Sequence, residues 1–314
     1  MGEKHSEGEG NEMAQQEAMS MIEFMRKFGT EEACRAYLYQ IKWPKGFVCP
    51  KCGKKCEPFN IKSRNQYQCR YCSHQASVTA GTVMDKTRTP LTKWFLAIYL
   101  MGQDKRGCSA LHLKRELKIA YDTAWTMSHK IRKAMGERDT AYLLGGTVEI
   151  DDAFFGAARE GSKRGRGTEK TPVVLGLSLD EKGRPCYLRA QVMPTVDGDS
   201  IAEFAKEHIQ KGSVIRSDGL PVYNKLSENY RHQPQPFDPK GNPSHLKWMH
   251  VVISNVKSFA NGTYHGLSDM HLQAFLDEFC FRFNRRRWHD QLFARTLAAC
   301  AVSSIFTRNM IVMA

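Results

Sequence analysis

The sequence predicts a multidomain chain: an N-terminal helix and a zinc ribbon, a helix-turn-helix, then an α/β domain that ends in helices. Three observations carry this. Two Cys-x2-Cys pairs, Cys49/Cys52 and Cys69/Cys72, stand sixteen residues apart. From Leu91 to Met135 apolar residues recur at helical spacing, and from Thr147 short β runs alternate with helical text. Two of those runs end in an aspartate. At 314 residues the chain has room for two or three domains and a large buried core.

Residues 1–19 are polar, rich in Gly and Glu and without periodic apolar positions, and are expected to be a disordered acidic tail. In the N-terminal helical segment, 20–46, Thr30 followed by Glu31 and Glu32 reads as an N-cap with an acidic first turn, and Trp43-Pro44-Lys45-Gly46 ends the helix. The ribbon takes 47–75, with Gln66 to Gln68 as a strand. A helical DNA-binding domain takes 76–140. The α/β domain takes 141–300, with β runs at Thr147–Ile150, Pro172–Leu179, Cys186–Val192 and Ser213–Arg216 and a helix at Ser200–Gln210. Residues 229–247, with four Pro, read as a loop, and helices follow from Trp248. Residues 301–314 are left as a C-terminal tail.

Composition excludes wholesale disorder and fibrous classes: 41% of residues are hydrophobic and 25% charged. The net charge of +13 favours a polyanionic partner. It is segregated, because the first twenty residues carry a net of −4 and the remainder +17. The longest uninterrupted apolar run, Trp94 to Met101, is eight residues against the ~20 that span a bilayer. A cytoplasmic, nucleoid-associated protein is expected, and in a reducing compartment paired cysteines argue for metal.

Each Cys-x2-Cys pair suits a tight knuckle, and two knuckles complete a closed tetrahedral zinc site with no open position, so the Zn2+ is structural. Cys56 and His74 are possible substitutes that fit the two-knuckle geometry less well. The lysines and arginines of this segment suit either DNA phosphates or a docking role. In the helix-turn-helix, Ser109 caps a helix with Leu113 and Leu117 on one face, and a second helix runs from about Tyr121 to Ala134. Ala124, Met127 and Ile131 face its core. Thr123, Thr126, His129, Lys130 and Lys133 are then offered to a DNA groove.

Val148 and Ile150 point to one side of a strand, and Glu149 and Asp151 to the other. Val214 to Asp218 repeats the pattern of a β run ending in an acid. Adjacent strand ends bearing Asp151 and Asp218 can hold divalent cations ~4 Å apart for phosphoryl transfer. On a following helix His250, Ser254 and Lys257 share one stripe, from which Asn255 is turned away by about 140°. Arg159 to Lys170, including Lys163, Arg164 and Arg166, reads as a basic loop beside Asp151, contacting DNA or simply solvated. Arg285 and Arg286 at a helix end reach a phosphate or suit the helix dipole.

At these residues the sequence resembles the insertion-sequence transposases of the zinc-ribbon-containing DDE/DDH superfamily, the ISXO2-like group. The matching pieces are the ribbon Cys49 to Cys72, the helices around Ser109 to Met135, Val148-Glu149-Ile150-Asp151-Asp152, Ser217-Asp218-Gly219, Gly262-Thr263-Tyr264-His265-Gly266 and Phe281 to Arg286. The resemblance implies an RNase H-like catalytic domain, Mg2+ or Mn2+ as catalytic ions, double-stranded DNA (element ends and target) as partner, and a homo-oligomer on DNA. The family's acidic residue stands seven before a helical lysine; with Lys257 as that lysine, His250 takes its place, and Asn255 is the rival. A neutral imidazole there is expected to shift the ion preference toward Mn2+. A DNA-binding regulator descended from such an enzyme and a metal-dependent nuclease without joining activity are the alternative readings.

Overall fold

The computed structural model describes residues 19–156, 170–236, 238, 240–241, 245–264 and 267–313. The expected acidic tail and the basic positions Lys163, Arg164 and Arg166 lie outside them.

Helices α1 (Met21–Phe28) and α2 (Glu31–Lys42) open the fold. Ser20 and Glu23 form a capping box on α1, and the Thr30 hydroxyl accepts the Ala33 N–H at the start of α2, as its sequence predicts. The ribbon follows as three short antiparallel strands, β1 (Phe59–Ile61), β2 (Gln66–Gln68) and β3 (Gln75–Ala76). Next come α3 (Leu91–Gln103), α4 (Ala110–Leu117) and α5 (Tyr121–Asp139). Ser109 caps α4, and three residues, beginning with left-handed Lys118, turn the chain into α5.

A second layer is a mixed five-stranded sheet ordered β6-β5-β4-β7-β8, with β4 (Thr147–Phe155), β5 (Thr171–Leu179), β6 (Pro185–Val192), β7 (Val214–Ser217) and β8 (Arg231–Pro234). β6, β5 and β4 run antiparallel; β4, β7 and β8 run parallel. Helix α6 (Gly198–His208) covers one face through Ile201 and Phe204, against Val148, Ile150 and Ile215. Helices α7 (Lys247–Thr263) and α8 (Asp269–Asn284) cover the other, against Ala153, Phe155, Val173 and Leu175. This mixed sheet with flanking helices is the RNase H-like arrangement. β4 runs past its expected end at Ile150 because Ala153 and Phe155 pack under α7 and α8. β8 was not expected at all: Arg-His-Gln-Pro at a sheet edge has no apolar alternation to betray it. Among the described residues no helix is long and apolar enough to cross a membrane.

Three expectations are corrected by packing. First, residues 292–300 do not belong with the sheet: Phe293, Leu297 and Cys300 of α9 (Leu292–Val302) enter the core of α1 to α5, and α10 (Arg308–Met313) continues onto α5 through an Arg308–Asp122 ion pair. Second, α5 is the central helix of that unit, touched by α3, α4, α8, α9 and α10. His129 is therefore buried against Trp125, His271 and Phe275, while Thr123, Thr126 and Lys130 are only half exposed, with the Thr126 hydroxyl turned inward. The helix pair exists, but its middle does not present the expected reading face. Third, Arg285 is buried, pairs with Asp139 at 2.7 Å and lies over the Phe281 ring, and the Arg286 guanidinium donates to the carbonyls of Cys186, Phe283 and Pro185. Arg285 is thereby taken up inside the fold, whereas Arg286 stays exposed while tying the end of α8 to β6.

The two units are riveted by a buried charge pair. Arg132 of α5 donates to Glu278 of α8 at 2.8 Å, and Arg282 shares the same carboxylate. Glu278→Ala leaves Arg132, 2% exposed, without that partner; a loss of roughly 3–5 kcal/mol is expected, measured as a lower midpoint in urea unfolding. A wild-type midpoint would show that the rivet contributes nothing.

Candidate active site and zinc centre

The ribbon knuckles are two copies of one turn. Gly53 N–H donates to Cys49 O and Ser73 N–H to Cys69 O, at 2.9 and 3.0 Å, with Gly53 and Ser73 both in the left-handed region. The four sulfurs of Cys49, Cys52, Cys69 and Cys72 lie within 4.8 Å of one another. A tetrahedral ion at ~2.3 Å from each sulfur requires sulfurs about 3.8 Å apart; Cys49–Cys72 and Cys52–Cys69 are at 3.5 and 3.7 Å. The cluster fits a structural Zn2+. Burial raises the Cys69 thiol, but the N–H groups of Cys72 and Tyr71 outweigh it and hold the thiol below its ordinary value, whereas at Cys72 the His74 N–H is outweighed by burial and the neighbouring sulfurs, which raise the thiol. Cys56 stands beside the tetrad, 4.0 Å from Cys69 Sγ, and His74 contributes its backbone, the carbonyl accepting the Cys69 N–H and the N–H donating to the Cys72 sulfur.

In the sheet, the parallel register pairs Thr147, Val148 and Glu149 with Val214, Ile215 and Arg216. Continued by two residues it sets Asp151 beside Asp218, on strands ~4.8 Å apart. Alternation along β4 sends Val148 and Ile150 under α6 and leaves Glu149 and Asp151 facing α7. Asp151 Oδ2 is 3.7 Å from His250 Nε2. Lys257, two turns further along α7, holds its ammonium 5.9 Å from the Phe155 ring centre, so the His250–Lys257 stripe follows β4 from Asp151 to its end. Asn255 faces elsewhere. It lines a cavity of about 880 Å³ with Lys105, Arg106, His112, Ser258 and Gly262, between α7 and the α3–α4 connection. Among the described residues only the cysteine tetrad brings three or more ligand atoms within 4.8 Å of one another. Asp151 and His250 are therefore a close pair, with Asp218 on the neighbouring strand, and the three do not form such a group.

Sequence reasoning missed two residues here. Glu149 Oε2 accepts the Met249 N–H at 3.2 Å, standing in for the side-chain cap that Leu246 cannot give α7. Burial raises the Glu149 carboxyl, which the α7 terminus and Arg216 oppose. This contact sets the residue before His250 against the strand that carries Asp151. The one sequence signal was an acid inside a hydrophobic strand. Tyr223, in the 3-10 turn Pro221–Glu228, is fully buried and donates to Asp152 Oδ1 at 2.7 Å. Burial first, then the carboxylates of Asp152 and Asp151, push its hydroxyl far above the usual range, so it is a neutral donor. In the sequence it reads as one more core aromatic.

Residues 143–284 match the family profile of the ISXO2-like transposase domain, and residues 29–75 that of the transposase zinc-ribbon domain. An uncharacterized protein in transposable element ISH50 of Halobacterium salinarum (strain ATCC 700922 / JCM 11081 / NRC-1) is 25% identical over 224 residues, covering 65% of this chain and 73% of the relative. Among solved structures, the Mos1 mariner paired-end complex with Mn shows 16% identity and a TM-score of 0.26 over 65% of this chain and 77% of its own. A pre-cleavage Mos1 transpososome shows 14% and 0.24 over 68% and 79%. At such scores the superposition places no residue of this chain. The ribbon profile falls on the cysteine tetrad and the other on the elements bearing Asp151, Asp218 and His250, and the chain carries a DDE-type, ISXO2-like transposase domain behind a transposase zinc ribbon.

Proposed function

We propose that Asp151, Asp218 and His250 are the catalytic triad of this transposase, that it acts on the terminal inverted repeats of its element, and that Lys257 holds a phosphate near the scissile bond. The observation that carries this is the approach of His250 to Asp151 across from Asp218. Two carboxylates and an imidazole form an oxygen-rich donor set that suits Mg2+ or Mn2+. Bound there, such ions supply activation of a water or 3′ hydroxyl and stabilisation of the leaving oxygen. The protein's own part is placement. Glu149 fixes the start of α7, which sets His250, and the same helix carries Lys257 along β4 to where a strand crossing Asp151 would run. Lys163, Arg164 and Arg166 follow β4 in sequence and would add charge to the same DNA; Thr123, Thr126 and Lys130 at the edge of α5 can add only peripheral contacts. Synapsis of two ends calls for at least a dimer on DNA, at the nucleoid in the cytoplasm.

The test is incubation of purified protein with labelled element ends, target DNA and Mg2+ or Mn2+. Joined products in wild type, and none in Asp151→Ala, are expected. Cutting without joining would replace this reading with a nuclease. Binding without either reaction, in wild type and Asp151→Ala alike, would replace it with a regulator.

A further inference from the structure

Asp151 and Asp218 sit on different strands, and nothing within either strand sets the distance between their carboxylates. Parallel pairing between β4 and β7 ends at Glu149 and Arg216, so both aspartates lie past the last rung between these two strands, Asp151 still paired to Leu175 of β5 and Asp218 one residue beyond β7. The span between Asp151 and Asp218 is therefore not fixed by a rung of the β4–β7 ladder itself. A tie is present. After Asp218 the chain turns through Gly219 and Leu220 into the 3-10 turn Pro221–Glu228, which returns Tyr223 beneath the sheet beside Val148, Ile150 and Phe204. From there the Tyr223 hydroxyl donates to Asp152 Oδ1 at 2.7 Å, and the Asp152 N–H donates in turn to Asp151 Oδ1 at 2.8 Å. The path runs from Asp218 through five residues of chain to Tyr223, then through two hydrogen bonds to the carboxylate of Asp151. Asp152 lies on the α6 side of β4 while Asp151 lies on the α7 side, so the tie passes through the strand and leaves the reactive face open.

We propose that Tyr223 is a positioning residue that fixes the gap between Asp151 and Asp218 to the spacing divalent ions require, acting through Asp152. The inference rests on the reading of Asp151 and Asp218 as metal-holding residues. Asp152 is in this account a lever and not itself a ligand. Its carboxylate takes the tyrosine proton donor on one side, and its backbone N–H orients the Asp151 carboxylate on the other. The phenol is suited to the task, because a buried ring held by α6 and the sheet gives Asp152 a donor in a fixed place.

The experiment is Mn2+ binding to the full zinc-loaded chain without DNA, followed by the electron paramagnetic resonance signal of free Mn2+, with urea unfolding of each variant as a control. Tyr223→Phe keeps the ring and loses only the donor. It is expected to weaken Mn2+ binding by roughly 10-fold or more, the scale on which supporting hydrogen bonds act at metal sites. Asp152→Ala should do the same, whereas Asp152→Asn, which keeps an oxygen for Tyr223 and the backbone N–H, should stay within about 3-fold of wild type. Wild-type Mn2+ affinity in Tyr223→Phe overturns the proposal, as does an Asp152→Asn variant no better than Asp152→Ala, which would make Asp152 a direct ligand. Should Tyr223→Phe fail to fold, the two Asp152 variants carry the comparison. Asp151→Ala separates the levels: if it binds Mn2+ like wild type, the metal-site reading itself falls, and if it loses binding while Tyr223→Phe does not, only the inference falls.

Discussion

His250→Ala is expected to lower strand transfer by about 100-fold or more, a rise in barrier of about 2.7 kcal/mol, while Asn255→Ala retains most of the joining activity. The two residues are five apart on one helix, and direction decides between them. His250 brings Nε2 to 3.7 Å from Asp151 Oδ2, whereas Asn255 looks into the cavity lined by Lys105, Arg106 and His112. His250 is also more than half exposed, with a side-chain accessibility of 53%, so it is not a core residue and its removal leaves no cavity. A large loss on truncation therefore reports chemistry and not folding, and an unchanged urea midpoint in the same variant would establish that. His250→Glu is a sharper version of the experiment. Three carboxylates raise the anionic charge around the ions, so joining should persist and the preference should move from Mn2+ toward Mg2+. Joining that survives His250→Ala but is lost in Asn255→Ala would overturn the assignment and move the site to the other face of α7.

Strand alternation explains why so much of this site was legible. In Val148-Glu149-Ile150-Asp151 the period of two separates the side that packs on α6 from the side that meets α7, and the repeat at Val214 to Asp218 supplies the second acid on a neighbouring strand. The ribbon was legible for a similar reason, since a ligand pair two residues apart has few geometries. What escaped was anything that depends on a partner distant in sequence. Tyr223 has no local signal, because its role is defined by Asp152, on another strand, and by a turn that returns beneath it. Arg285 stands in a basic run at a helix end, the pattern of a phosphate contact, yet it is buried against Asp139. Helix α9 shows an apolar face in its sequence, but that face does not say whether it packs on the sheet or returns to α1 and α3. The recognition-helix reading loses His129 for the same reason, since that ring is buried. Residues with polar side chains on the outer arc of α5 looked free only while α8, α9 and α10 were out of view.

Cys49→Ser combined with Cys52→Ser is expected to remove zinc from one ion per chain to none in metal analysis and to unfold the ribbon, while leaving the sheet domain able to bind Mn2+. The ribbon strands are three, three and two residues long, far too little to bury a core of their own. Their stability must come from the metal, whose binding in small zinc domains is worth roughly 10–16 kcal/mol at neutral pH, and from the aromatic contacts by which Tyr39 and Trp43 of the α2 end lie against Tyr67 and Phe47. Those contacts join Cys49 and Cys69 to the same core as α1 to α5, so losing the metal should also weaken the helical unit. The cores on either face of the sheet share no buried residue with it. Thermal unfolding of the double variant should therefore separate into an early transition for the helical unit and a later one for the sheet, where wild type shows the two closer together. Wild-type protein without zinc would remove the ribbon assignment, and a variant that loses zinc yet melts like wild type would show that the aromatic contacts alone hold the ribbon in place.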